Sequence, residues 1–116
     1  MTDIQFKLET TEIHKNSQIK GTITVLYPGR YDGVVINVTI SDSNEHIKYT
    51  SYNDKKIKQN VSRLFINRDV MPKNIVEFTG VIDFETNNIH EVKFRVSIIE
   101  QHKEIESKII FANYST

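Results

Sequence analysis

The chain has no cysteine, which excludes disulfides, thiol nucleophiles, iron–sulfur clusters and thiolate zinc sites. It has no tryptophan, one alanine and three leucines, so the strongest helix formers are scarce. Its four glycines stand alone or in turns, so there is no glycine-rich loop to cradle a phosphate. Neither sign of charge dominates: fifteen basic residues balance fifteen acidic ones. That balance argues against a nucleic-acid binder, which carries a basic excess, and removes a long-range steering field. No apolar run approaches the ~20 residues that span a bilayer. The opening Met1–Lys7 shows no basic stretch followed by an apolar one, so no secretory signal is expected. These absences together predict a cytoplasmic chain.

What the chain does have is β-branched. Seventeen isoleucines and ten valines stand among 116 residues. Such side chains lose rotamer freedom in helices and pack well on pleated surfaces. They also alternate with polar residues, the period of a half-buried strand. Ile4, Phe6 and Leu8 share one face, as do Ile19, Gly21, Ile23 and Val25. Val34, Ile36, Val38 and Ile40 form a third set, and a short strand comes next around Ile47–Tyr52. Later, Val76, Phe78, Gly80, Ile82 and Phe84 alternate over Ile75–Phe84, and Val92, Phe94, Val96 and Ile98 come after them. The last segment places Ile105, Ser107, Ile109 and Phe111 together, opposite Glu106 and Lys108. Turn punctuation separates these runs, most clearly at Tyr27–Gly33 and Asp42–Glu45. Seven to eight short strands at this spacing predict an all-β antiparallel immunoglobulin-like sandwich, one domain over residues 1–116.

The stretch Asn53–Lys73 admits two readings. Asp54 can cap a short helix in which Ile57, Val61 and Leu64 fall at helical spacing. Alternatively, a lysine-rich loop at Lys55, Lys56 and Lys58 leads into a strand at Arg63–Ile66.

No reactive centre stands out. His14, His46, His90 and His102 fall in or beside turns with no metal-ligand spacing between them. Asp42, Asn44 and Glu45 suit a turn better than a calcium site, which takes six to eight oxygens. The serines lack the context of a nucleophile, and Asp83 with Glu85 reads as a solvated strand face. No enzymatic activity, cofactor or metal is therefore expected. The candidate working parts are surfaces. Tyr27, Tyr31, Tyr49 and Tyr52 cluster near turns and the fourth strand; such tyrosines serve either as contact surface or as sandwich corners. As contact surface they offer a protein a docking patch, or a carbohydrate or small ligand a stacking platform. Lys55, Lys56 and Lys58, with Arg63 and Arg68, form a basic stretch that suits phosphates or an anionic membrane surface. A partner would bind at an exposed sheet edge or on a concave sheet face; Ile4–Leu8 and Ile105–Phe111 are candidate edges for strand addition or homodimer pairing, with Phe111 and Tyr114 as anchors.

The order of these pieces resembles the arrestin-like domain, the fold of arrestins and their retromer-subunit relatives. The run Ser17-Gln18-Ile19-Lys20-Gly21-Thr22-Ile23-Thr24-Val25 is similar to that family's early "G-x-x-I-x-G-x-V-x-V" segment. Val34–Ile40 stands where the family has a Val/Ile-rich strand. Val81-Ile82-Asp83-Phe84-Glu85 resembles its "F-x-F" strand, and Val92–Ile98 the "V-x-Y-x-V-x-V" strand after it. The resemblance implies a sandwich acting as an adaptor with protein partners.

Overall fold

The strand positions follow from the alternation. In the computed structural model, which describes residues 3–116, Ile19, Gly21, Ile23 and Val25 are buried while Lys20, Thr22 and Thr24 between them are half-buried. Ten strands form: β1 (Ile4–Leu8), β2 (Glu12–His14), β3 (Ile19–Val25), β4 (Gly33–Ile40), β5 (Lys48–Tyr52), β6 (Lys55–Asn60), β7 (Arg63–Asn67), β8 (Ile75–Val81), β9 (His90–Glu100) and β10 (Lys103–Ser115). They make two five-stranded sheets, ordered β1-β3-β8-β5-β6 and β2-β10-β9-β4-β7. Every pairing is antiparallel except β2 with β10. The inner faces of the two sheets enclose the core, where Tyr49, Phe78, Phe94 and Tyr114 are fully buried among isoleucines and valines.

Several expectations are corrected. Among the described residues there are ten strands rather than seven or eight, because β6 forms where a loop or helix was expected, and because the chain crosses from one sheet to the other after Leu8 and forms β2, a three-residue strand too short to read as an alternation. Over Asn53–Lys73 there is no α-helix. The lysines expected in a loop lie on β6, which forms a two-residue hairpin with β5. Asn53 and Asp54 both take positive φ there, 45° and 67°, the geometry that matches the twist of two antiparallel strands. Gln101 and His102 do the same between β9 and β10. Asn53 also ties down the connection from β7 to β8. Its amide nitrogen donates to the carbonyls of Val70 and Ile75, and its oxygen accepts from the Glu77 N–H at 2.8 Å. Two 3-10 turns, Arg68–Val70 and Pro72–Asn74, fill that connection.

The last strand has the opposite facing to the one expected. A bulge between Glu104 and Glu106 shifts the register against β9. Ile110, Ala112 and Tyr114 therefore point into the core, and Ile109 and Phe111 point out, 42% and 53% exposed. A one-residue slip of this kind exchanges the two faces of a strand. β2 pairs with β10 only over Asn113–Ser115, so Ile105–Phe111 pairs with β9 alone. β1 is an edge of its sheet.

Candidate functional site

Second sheet outer face

The outer face of the second sheet carries apolar side chains that no further layer covers. Val35 on β4 and Ile99 on β9 are buried at 6% and 8% exposure, and Ser97 at 2%. Alternation turns all three away from the core, since Val34, Ile36 and Ile98 beside them face inward at 0%. Local packing hides them. Phe65 on β7 sits opposite Val35, and its ring stacks over Gly33, where any Cβ would meet it at 2.7 Å. Ser97 pairs its hydroxyl with Ser107 at 2.8 Å. The Arg95 guanidinium grips both oxygens of Glu104 at 2.6 and 2.5 Å.

That fork sets an acid sensitivity. The Arg95 hydrogen bonds, first among the causes, hold the Glu104 carboxyl below its ordinary value of 4.5. A lowered folded-state pKa means the ion pair stabilises the fold above the unfolded value and stops doing so as pH falls through the folded one. Wild-type unfolding free energy is therefore expected to fall more steeply below about pH 4.5 than that of Glu104→Gln. Urea melts across that range check it, and parallel curves for the two proteins would refute it.

Between Phe65 and the β9–β10 turn lies a depression of about 320 Å³ lined by Asp32, Val35, Arg63, Phe65, Ile99 and His102. A second, polar one of about 480 Å³ surrounds Arg30, Asn67 and Arg68. Asp32 lines both. Its N–H donates to the Ile99 carbonyl, its carbonyl accepts from the Arg68 N–H, and its carboxylate accepts from the Gln101 N–H at 2.8 Å. The carboxylate thus serves the turn. The Arg68 guanidinium lies 4.6 Å over the Tyr31 ring, and the Tyr31 hydroxyl donates to Asn74 at 2.7 Å.

Placement of the expected residues

The tyrosine platform is not formed. Tyr49 and Tyr114 are core residues at 0% exposure, and Tyr31 is buried at 2%. Burial raises the pKa of all three phenols, and each hydroxyl is satisfied internally: Tyr49 donates to the Ser62 carbonyl, Tyr114 to that of Phe84. Buried Tyr needs such a partner; Tyr31 still borders the 480 Å³ depression, and Tyr49 with Lys58 borders a third of about 470 Å³ beside β5 and β6. Tyr27 and Tyr52 are half-buried. Lys55, Lys56 and Lys58 are exposed on β6, the edge of the first sheet, with the Lys55 ammonium 5.6 Å from the Tyr52 ring. Phe111 is exposed on the outer face of the second sheet. Of the nine residues, only Phe111 shares a face with the 320 Å³ depression.

Phe65, Val35, Ile99, Arg63 and His102 are the residues that sequence reasoning missed as a group. A signal existed. Val34-Val35-Ile36, Leu64-Phe65-Ile66 and Ile98-Ile99 break the alternation by carrying apolar residues on both faces, as strands buried on both sides do.

Comparison with known proteins

No protein-family model matches the chain, and no curated protein matches it in sequence. Solved structures do match in fold. A conjugative transposon lipoprotein from Bacteroides eggerthii aligns over 100% of both chains with a TM-score of 0.57 and 7% identity. A lipoprotein from Bacteroides thetaiotaomicron aligns over 100% of this chain and 82% of its own, with a TM-score of 0.58 and 7% identity. The Salmonella SafD adhesin aligns over 99% of this chain and 100% of its own, with a TM-score of 0.50 and 12% identity. The chain is thus an all-β sandwich of a kind also found in lipoproteins and adhesins. This overturns the expected cytoplasmic placement, because two structures sharing the fold across the whole chain are lipoproteins.

Proposed function

We propose that this chain is a non-enzymatic protein-binding module of the cell envelope, working through the outer face of the second sheet around Phe65. One observation carries the reading. Phe65 stands 47% exposed over apolar residues that are already hidden on an otherwise uncovered face. Its neighbours Val35 and Ile99 line a depression rimmed by charge. Central aromatic anchors with a polar rim are the usual anatomy of a protein-binding surface. The lipoprotein and adhesin folds support the placement and the binding role, and the arrestin-like motifs imply the same kind of work. The outer face of the opposite sheet differs. It is threonine-rich, with Thr50, Thr79 and Ser51 bonded to one another.

A photo-crosslinking side chain placed at Phe65 tests this in the native host. Adducts are expected at Phe65 and not at Thr22, on the outer face of the first sheet. Adducts at Thr22 alone, or none at Phe65, would overturn the reading.

A further inference from the structure

The β7 strand ends its sheet with a free backbone edge. The Val38 N–H bonds the Ser62 carbonyl, and the Arg68 N–H bonds the Asp32 carbonyl. With the register between, these bonds mean that Leu64 and Ile66 exchange hydrogen bonds with β4. The N–H and C=O groups of Arg63, Phe65 and Asn67 therefore point away from it. These are the same three residues whose side chains stand on the outer face. An added strand would meet a row of main-chain partners and, beside them, a cation, an aromatic ring and an amide.

Charge says which strand. The chain is neutral, yet residues 53–74 hold six cations (Lys55, Lys56, Lys58, Arg63, Arg68 and Lys73) against Asp54 and Asp69, an excess of four. Among the described residues the ion pairs are Lys15–Glu85, Lys20–Glu77, Lys48–Asp83 and Arg95–Glu104. Arg30, Arg63 and Arg68 take part in none of them. A second copy of this chain pairing β7 with β7 about a two-fold axis would set this cationic segment against itself, which is repulsive.

We propose that β7 binds an extended acidic peptide of the protein partner by strand addition. Its acidic side chains lie opposite Arg63 and near Arg68, and an apolar side chain between them packs against Phe65. Alternate residues of a strand share a face, so the matching pattern is acid, any residue, apolar, any residue, acid. Main-chain bonds supply affinity in this mode, and alternate side chains supply specificity. The inference rests on the proposed working face and adds the chemistry of what it takes.

The test uses a fluorescent heptapeptide with threonine at the odd positions and glutamate, leucine and glutamate at the even ones. Saturable anisotropy is expected, weakened about tenfold or more by Arg63→Glu or by about 0.5 M salt. A peptide N-methylated at the amides that face β7 is expected not to bind. Circular dichroism of Arg63→Glu, an exposed site, confirms that the variant is folded. Equal binding by the N-methylated peptide would reduce the site to bulk charge and overturn the proposal. So would competition by heparin alongside indifference to N-methylation. No binding at about 1 mM peptide, the weak end of specific affinity, also overturns it. If Phe65 still crosslinks in that case, the working face stands and only the acidic-strand inference falls.

Discussion

Phe78→Ala is expected to cost about 3–5 kcal/mol of unfolding free energy, the usual loss for a fully buried phenylalanine. Phe78 is 0% exposed at the centre of the first sheet. Its ring stacks against Phe6 at 6.2 Å and meets Tyr49 edge-on at 6.4 Å. Phe6 in turn reaches Phe94 in the other sheet at 6.3 Å, so one ring ties both layers. The space for it is made by Gly21, its cross-strand neighbour. A Cβ at Gly21 would stand 2.5 Å from the Phe78 ring. Gly21→Ala alone is therefore expected to overpack the core by about 1–3 kcal/mol. The same change should cost much less in the Phe78→Ala background, because the clashing ring has gone. Urea unfolding of the four proteins measures the coupling. Strict additivity would show that the glycine is not there to accommodate the ring.

Gly33→Ala is the second large effect, about 3 kcal/mol, at the upper end for overpacking. Here the obstacle is main chain: an added Cβ would lie 2.2 Å from the Ile66 carbonyl oxygen and 2.7 Å from the Phe65 ring. No side-chain rotation relieves the first contact. Strand β7 has to move off β4, straining the bonds between Val34 and Ile66. Crosslinking through position 65 is expected to drop together with stability, since the same displacement carries Phe65 away. Gly29→Ala is the control. The atoms nearest its Cβ all belong to the outer end of the half-buried Tyr27 side chain, which can swing aside, and a loss within about 0.5 kcal/mol is expected, as at an ordinary surface site. Equal losses at the two glycines would refute the account.

The alternation of Ile19–Val25, Val34–Ile40 and Val92–Ile98 made the sandwich legible, because a period of two with β-branched residues leaves a helix little to bury. Three things escaped. β2 is too short to show a period. The bulge at Glu104–Glu106 lies between polar residues and turns Ile109 and Phe111 outward without a mark in the composition. The tyrosines misled because an amphipathic side chain near a turn fits a corner as well as a surface, and Tyr31, Tyr49 and Tyr114 bury their rings while finding partners for their hydroxyls. The site was hidden for a related reason. Phe65 comes directly after Leu64 in a five-residue strand, and only the pairing with β4 and β9 shows that it lies beside Val35 and Ile99 rather than in the core.

The parallel alignment of β2 with β10 has a mechanical consequence. Glu12–His14 and Asn113–Ser115 run side by side in one direction. Tension that pulls the two ends of the chain apart therefore strains their bonds together, lengthwise, instead of peeling them open one after another. The clasp thus resists such tension by shear, at the edge of the sheet opposite β7.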